Sequence, residues 1–424
     1  MRPLRGRPRR RWCAVQVKRT FSVVLSLVIV AAIALLSGPD AWAKTKFKVL
    51  QRIPGGLFTG LTFDTEGNLY GATGGGGTHQ DGTIFELTRQ SNGKWTLATL
   101  HSFDGSDGYS PSGHLAFDRN GNLYGTAFDG GLPYYGGTIY KLKPLAGSWG
   151  FTLLYSFCPI YGCPDGAGPN GLILDKEHHL YGTTASGGLY DEGTVFELSH
   201  SSGFWNESVL YNFGSVSHDG VRPLDTPIFD STGALYATTF YGGAYGGGTV
   251  FKLGQTAEGA WDEHILYSFC PGGAPCTDGV GPFEGVVRDN AGNLYGTTTQ
   301  GGRHTCGETH CGTVFKLAPD WKGGWREAVL YDFPNPENGS FPTGGVVRDK
   351  TGSLFGATVG GGIGRCSGGC GVIYELRPGP GKWKYRALHK FDGSDGGQPL
   401  GGLILDNDLN LYGTAYSVVF EVTP

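Results

Sequence analysis

The sequence predicts an all-β fold, a seven-bladed β-propeller whose blades each contain four strands. A word of the type LYG recurs seven times, and its aromatic residue follows the previous one by 54 to 60 residues. Each copy divides into four strand-like blocks separated by turn residues, which is typical of a propeller blade. The alternative, a glycine-rich β-solenoid, has much shorter rungs. The seven aromatic residues are Tyr70, Tyr124, Tyr181, Tyr236, Tyr295, Phe355 and Tyr412.

The fifth copy shows the four blocks. The first block ends at Asp289, the second reads NLYGTTT, the third ends at Leu317, and the fourth covers residues 325–333. In six copies the fourth block places a Trp eight residues before a Phe, as in Trp325 and Phe333. Because side chains alternate along a strand, this even offset predicts that both rings lie on the same face.

The second block carries a glycine at its centre in six of the seven copies. Glycine weakens a strand and is usually retained where another group approaches closely. We therefore expect each of these glycines to receive an aromatic ring from the adjacent blade. The alternative is that they form β-bulges. The residues are Gly71, Gly125, Gly182, Gly296, Gly356 and Gly413, with Ala237 in the fourth copy.

The two ends of the repeat array are complementary. The seventh copy stops after its third block, and residues 48–53 resemble a fourth block that precedes the first copy. We expect this N-terminal strand to complete the seventh blade, because ring closure removes a free sheet edge.

The N-terminal segment has the organisation of a signal peptide. Eight Lys and Arg lie within the first 19 residues, followed by an apolar run at 21–38 and by AWA at 41–43. Residues 1–43 are predicted to be a signal peptide and 44–424 a single propeller domain, secreted to the extracellular space or cell surface. The alternative is an uncleaved anchor, although the run is slightly shorter than the about 20 residues of a membrane span.

Without residues 1–43, the chain has 25 basic and 36 acidic residues, a formal charge of −11. Nucleic acid is therefore not an expected partner, because a phosphate backbone requires a basic surface. We also expect no membrane span after cleavage, no cofactor, and a monomer.

Eight cysteines of the mature chain form four close pairs in predicted loops, which in an exported chain indicates disulfides. The alternative at residues 303–311 is a zinc site formed by His304, Cys306, His310 and Cys311, but their spacing matches no common zinc motif. We expect no metal site. The pairs are Cys158 with Cys163, Cys270 with Cys276, Cys306 with Cys311, and Cys366 with Cys370.

A short word of Asp-Gly or Asn-Gly followed by Pro precedes the first block in six copies, as in DGYSP and DGVGP. These words are typical of turns. Calcium binding by the repeated carboxylates is the alternative, but the ligand spacing of a calcium loop is missing.

Departures from the repeat point to a candidate site. Four and five residues before the Asp that ends each first block, glycine is the usual residue, and first strands line the channel of a propeller. Four successive copies replace glycine there with a polar residue that could bind a ligand: His114, Asn170, Asp225 and Glu284. A His with two carboxylates is sufficient for general acid and base catalysis. Drift of the repeat is the other explanation.

Tyrosines also mark the predicted loops between second and third strands, where they suit stacking on sugars or contacts with proteins. They are Tyr134, Tyr135, Tyr190, Tyr241 and Tyr245. No nucleophile elbow, phosphate loop or dinucleotide fingerprint is present.

The words NLYGTT and GTVFKL, together with the fourth-block pattern W...VLYSF, resemble a bacterial secreted family, the choice-of-anchor tandem repeat GloVer proteins. The resemblance covers residues 44–424 and implies export, often with a C-terminal sorting signal, but no established chemistry. This sequence departs from the anchored pattern because it ends at Pro424, so we expect simple secretion. The predicted function is a non-catalytic binding module for a glycan or protein. The alternative is a channel-mouth polysaccharide lyase or hydrolase using His114, Asp225 and Glu284.

Overall fold

Seven antiparallel sheets follow one another along the chain as the blades of a seven-bladed β-propeller, in a computed structural model that describes residues 44–57, 59–201, 203–307 and 309–424. The predicted fold is confirmed. Residues 45–424 form one compact unit. The predicted signal peptide, residues 1–43, lies outside the described residues. In the part of the chain that is described, no helix has the length and apolar character needed to cross a membrane.

Each blade is built from four strands in chain order, and blades are numbered here from the N-terminus. Blade 1 contains Thr62–Phe63, Leu69–Thr73, Thr83–Arg89 and Trp95–Ser102. Blade 2 contains Tyr109–Phe117, Leu123–Asp129, Thr138–Leu145 and Ser148–Ser156. Blade 3 contains Ala167–Leu174, Leu180–Ser186, Thr194–Ser201 and Phe204–Asn212. Blade 4 contains Ile228–Phe229, Leu235–Thr239, Thr249–Gln255 and Trp261–Ser268. Blade 5 contains Val287–Arg288, Leu294–Thr298, Thr313–Pro319 and Trp325–Asp332. Blade 6 contains Val346–Arg348, Leu354–Thr358, Val372–Arg377 and Lys384–Lys390. Short strands in the loops pair Gly220–Val221 with Tyr241–Gly242 and Thr305–Cys306 with Thr309–His310, and a 3-10 helix covers Pro336–Asn338.

Blade 7 joins the two ends of the propeller. It consists of Ile404–Leu405, Leu411–Thr423 and the N-terminal strand Lys46–Leu57. The long strand reverses near Tyr416, which has a φ of 45°, and this reversal brings Phe420 against Gly413. Lys46 pairs with Thr423, and the antiparallel pairing extends to Arg52 opposite Val418, with a register shift between Val49 and Gln51. The N-terminal strand therefore closes the ring as predicted.

The second-strand glycines are covered by rings of their own blade, so the prediction that the ring comes from the adjacent blade is wrong. Gly296 pairs directly with Phe315 on the third strand, and a Cβ added to Gly296 would lie 2.6 Å from Phe315 Cζ. The register runs without interruption across this pair, so the alternative of a bulge is also wrong. The ring folds over its cross-strand neighbour, where only a hydrogen or a methyl group leaves enough room.

Buried apolar side chains of the described residues form seven clusters, one at each contact between neighbouring blades. The Trp and the Phe of a fourth strand belong to different clusters. Trp95 packs with Tyr412 of blade 7, whereas Phe103 packs with Tyr140 of blade 2. The predicted common aromatic face is therefore wrong. A β-bulge causes the difference, because Ile84 pairs with His101 but Phe85 pairs with Thr99, and the extra residue reverses the alternation.

The four predicted disulfides are present in the described part of the chain. Two close loops that follow a fourth strand, and two close loops between second and third strands. Cys306 and Cys311 are bonded to each other, so the thiolates that a zinc site would require are used.

Candidate functional site

Side chains from blades that are not neighbours meet at the centre of the ring. His114 lies on the first strand of blade 2, and Glu284 lies three residues before the first strand of blade 5. His114 Nε2 is 3.9 Å from Glu284 Oε2. Blades 2 and 5 are separated by two other blades, so this approach can occur only across the channel.

Glycine at the equivalent positions of other blades makes room for the His114 ring. A Cβ added to Gly60 of blade 1 would lie 1.9 Å from His114 Cε1, and one added to Gly402 of blade 7 would lie 3.1 Å from His114 Nε2. The imidazole is therefore held between bare backbone segments. The glycines that are usual at this position of the repeat thus leave space in other blades for the histidine that replaces glycine in blade 2.

Asp225 is the most deeply buried member of the candidate site, with 3% of its surface exposed. Its Oδ2 accepts hydrogen bonds from the N–H of Thr238 at 3.2 Å and from its hydroxyl at 3.4 Å. Its Oδ1 has no hydrogen-bond partner among the described residues. Burial, and secondly the charge of Glu284, raise the pKa of the Asp225 carboxyl well above its ordinary value. The environment of Asp225 therefore disfavours its charged form.

Glu284 is less buried than Asp225, with 27% of its side chain exposed. Burial raises the pKa of Glu284, and the nearby His114 opposes that rise. The channel thus combines groups that could act as acid and base, or that could bind a small polar ligand.

Asn170 occupies a different environment from the other three candidates. It is 8% exposed, and its amide nitrogen donates to the carbonyl oxygens of Gly168 and Pro223 at 3.2 and 3.3 Å. The bond to Pro223 ties the first strand of blade 3 to the loop before blade 4. The structure gives Asn170 a bridging position between blades.

Thr238 is a site residue that the sequence analysis did not single out. Besides binding Asp225, its hydroxyl lies 3.4 Å from the carbonyl oxygen of Glu284 and so connects the two acidic residues. It belongs to the repeated threonine pair that follows LYG or LYA, so the pattern offers no signal that distinguishes this copy.

A second candidate surface lies at the loop end of blades 2 to 4. Loops that join second to third strands, and loops that join consecutive blades, meet at this end. The rings of Tyr134 and Tyr161, one from each kind of loop, are 6.4 Å apart and nearly perpendicular. The tyrosines of this surface, with 47% to 89% of their area exposed, are Tyr134, Tyr135, Tyr161, Tyr190, Tyr241 and Tyr245. We call this set the tyrosine face.

The opposite, turn end carries two clefts of about 910 and 950 Å³. They are lined in part by the aspartates that end first strands, such as Asp118 and Asp175, and they share Asp118 and Arg119. Asp118 already accepts hydrogen bonds from Asn122 and Tyr124 of its own turn. These clefts are separate from both the channel residues and the tyrosine face.

Sequence comparison identifies a repeat family. The family model described as the Gloeobacter/Verrucomicrobia repeat matches residues 48–225 and 206–420. No curated protein matches the chain.

Solved structures with similar folds have little sequence identity to this chain. One described as a streptogramin B lyase structure has 16% identity and a TM-score of 0.55, and the match covers 91% of this chain and 99% of that chain. The extracellular domain of a protein described as a one component system from B. thetaiotaomicron has 11% identity and a TM-score of 0.55, with 88% and 39% covered. At this level of identity the comparisons show the propeller fold alone.

Proposed function

The chain belongs to the Gloeobacter/Verrucomicrobia repeat family, and we propose that it is a secreted, non-catalytic binding module that holds a glycan on its tyrosine face. Four disulfides among the described residues support an oxidising, extracellular location. The predicted signal peptide supports the same location. An extracellular domain is also among the proteins of similar fold.

The observation that carries this proposal is the exposure of the tyrosines on consecutive blades. Tyr161 is 89% exposed, and Tyr135 is 58% exposed. A tyrosine ring offers an apolar face to the C–H groups of a sugar, and its hydroxyl remains free for hydrogen bonds. The tyrosine side chains are solvent-exposed at one end of the propeller, and this position suits them to bind sugars in this way.

The loops that carry these rings are held in place before any ligand binds. Cys158 and Cys163 close the loop that contains Tyr161, and Gly220–Val221 pairs with Tyr241–Gly242 to join two loops of blade 4. Such preorganisation reduces the entropy that is lost on binding.

A glycan array with the purified protein tests the proposal. We expect one class of glycan to bind, and we expect Tyr134→Ala, Tyr161→Ala and Tyr190→Ala combined to weaken binding at least about tenfold, a loss of about 1.4 kcal/mol. Phe204→Ala with Trp321→Ala is the matched control, because these exposed rings lie at the turn end. An array without binding, or equal losses in both variants, would contradict the proposal. Exposed Leu132, Ile160 and Leu189 beside the tyrosines would then favour a protein ligand.

A second candidate function is lyase or hydrolase chemistry in the channel. The 3.9 Å approach of His114 to Glu284, next to a buried Asp225 with an unpartnered oxygen, favours it. Asp225 would act as the acid and His114, paired with Glu284, as the base. Close packing of the glycines that precede the first strands of blades 1 and 7 around His114 restricts this site to a small substrate or to the end of a chain.

Turnover of polysaccharides and small cyclic compounds tests the second candidate. We expect His114→Ala, Asp225→Asn and Glu284→Gln each to lower kcat at least about 100-fold, the range for loss of a general acid or base. The melting temperature should change little, since His114 and Glu284 are partly exposed and Asn preserves the shape of Asp225. The Asn170→Ala variant provides a comparison, because its amide binds backbone carbonyls. Wild-type turnover in all three channel variants would remove this candidate.

A further inference from the structure

Loops between blades are anchored by an aspartate that binds the preceding fourth strand. Asp165, Asp219 and Asp278 accept hydrogen bonds from the hydroxyls of Tyr155, Tyr211 and Tyr267 at 2.8, 3.0 and 2.9 Å. These aspartates belong to the DG words that the sequence analysis assigned to turns. They therefore also join a loop to the strand before it.

The same carboxylates hold the backbone of their loops. Asp165 accepts from the N–H of Cys158, Asp219 from that of Ser215, and Asp278 from that of Cys270. These loops lie at the loop end, and the first of them carries Tyr161. The position of part of the tyrosine face therefore depends on these aspartates.

A glutamate of the following blade interacts electrostatically with each of these aspartates. Glu207, Glu263 and Glu327 occupy the same place on the fourth strands of blades 3, 4 and 5, two residues after the Trp. The Oε1 atom of each is buried and has no hydrogen-bond partner among the described residues. In blades 1, 2 and 6 this place is taken by Leu97, Phe151 and Tyr385. The carboxyl pairs therefore occur where blades 2 to 5 contact one another.

The surroundings of the three glutamates disfavour a second negative charge. Burial, and secondly the charge of Asp165, raise the pKa of Glu207 to about 8. Burial and Asp278 have the same effect on Glu327, whose pKa is also about 8. Two carboxyl groups that interact in this way cannot both ionise without repulsion.

Glu263 faces one more acidic group than the other two glutamates. Burial, then Asp219 and Asp262, raise the pKa of Glu263 to about 8. The phenols near the three glutamates, Tyr155, Tyr211 and Tyr267, also have raised pKa values, first because of burial. They remain neutral over the range in which the glutamates titrate.

We propose that the three pairs Asp165–Glu207, Asp219–Glu263 and Asp278–Glu327 each hold one proton, and that its loss at alkaline pH releases the loops that support the tyrosine face. The Oε1 of each glutamate, which is buried and has no hydrogen-bond partner among the described residues, is the position that this proton would occupy. Without that proton, two negative charges oppose each other across the contact between blades. The aspartate is then driven away from its tyrosine and from the loop backbone.

The direction of the pH effect follows from the raised pKa values. Each glutamate holds its proton more tightly in the folded chain than in the unfolded chain, where its ordinary pKa is 4.5. The contribution of the pairs to stability is therefore complete below about pH 4.5 and is lost as the pH rises to about 8. The consequence for ligand binding rests on the proposed function, whereas the effect on stability does not.

The chain contains natural controls in blades 1 and 6. Asp107 and Asp395 anchor equivalent loops through His101 and His389 at 2.8 and 2.7 Å. His101 stacks on Phe151 of the next blade, where blades 3 to 5 have a glutamate. These loops should not respond to the titration of a carboxyl pair.

Melting temperature and hydrogen exchange, measured as a function of pH without any ligand, test whether the carboxyl pairs hold these loops in place. We expect the wild-type melting temperature to fall by about 5 °C between pH 6.5 and 8. Glu207→Gln, Glu263→Gln and Glu327→Gln combined should abolish this fall. Combined Glu66→Gln, Glu177→Gln and Glu258→Gln, which change exposed glutamates, should retain it. Exchange corrected for intrinsic rates should rise in residues 158–166, 214–220 and 270–279 but not in 104–108.

An equal fall in the triple glutamine variant and the wild type, or an equal rise of exchange in residues 104–108, would overturn the proposal. If the triple variant does not fold, Glu263→Gln alone should remove about a third of the fall in melting temperature. If Glu263→Gln changes this fall less than Glu258→Gln does, the proposal is contradicted. A glycan array without binding would overturn the proposed function but leave the stability result standing. Glycan binding together with a melting temperature that is independent of pH would support the proposed function but overturn the proposal about the carboxyl pairs.

Discussion

At the scale of single residues, the side chains that recur in the repeat form hydrogen bonds within their own blade. Asp289 shows this: its carboxylate accepts from the N–H groups of Ala291 and Asn293, from the amide of Asn293 and from the hydroxyl of Tyr295. In blade 6 the tyrosine is replaced by Phe355, and the hydroxyl of Thr351 binds Asp349 instead. The conserved-looking words of the repeat are thus hydrogen-bonding units within one blade.

Substitution of Gly296 tests the close approach of the cross-strand ring. Ala237 faces Phe251 in blade 4, so a methyl group can be accommodated. We expect Gly296→Ala to lower the free energy of unfolding by about 1 kcal/mol and Gly296→Val by about 3 kcal/mol, because the larger side chain forces Phe315 off its rotamer. Chemical denaturation measures both. Gly296→Val with Phe315→Leu should recover part of the loss, and a valine variant as stable as the wild type would contradict this account.

At the scale of strands, contacts between blades tolerate different chemistries at one position. The residue before the Asp that ends the first strand lies over the LYG tyrosine of the preceding blade. Phe117 makes an edge contact with Tyr70, with ring centroids 5.0 Å apart, whereas Arg348 lies 5.8 Å from the centroid of the Tyr295 ring. An edge-to-face contact between two rings and a guanidinium over a ring both bring positive charge against a π face. The packing of blades is therefore preserved while the sequence varies.

At the scale of the whole molecule, closure of the ring joins parts of the chain that are more than 340 residues apart. Leu50 and Ile53 of the N-terminal strand are buried with Tyr412 and Val419 of blade 7. Arg386 of blade 6 also donates to the hydroxyl of Thr45. The N-terminal strand therefore completes a blade and joins the cores on both of its sides.

Removal of residues 44–53 tests this closure. We expect the shortened chain to lose its cooperative unfolding transition and to aggregate, because the edge of Leu411–Thr423 is left unpaired. A synthetic peptide of residues 44–57 should restore the transition, measured by circular dichroism. The same peptide with Leu50→Asp and Ile53→Asp should not. Cooperative unfolding of the shortened chain at the wild-type midpoint would contradict the role of this strand.

Much of the architecture could be predicted from the sequence because it depends on local patterns. The seven copies, the four disulfide pairs and the closing strand at residues 48–53 each follow from spacing within one repeat or from its incomplete ends. The faces of the fourth-strand rings could not be predicted in this way. The bulge beside Phe85 is set by pairing with the third strand, and a single extra residue exchanges the faces of Trp95 and Phe103.

The candidate site shows the same division. The departure from glycine singled out His114, Asp225 and Glu284 by sequence, and chemistry alone made them candidates for binding or catalysis. Only the closed ring brings His114 and Glu284 within 3.9 Å, because blades 2 and 5 are distant in the chain and meet across the channel. The carboxyl pairs likewise join a loop aspartate to a glutamate of the next blade. A repeat determines what each blade contains, whereas contacts between blades depend on how the blades are stacked.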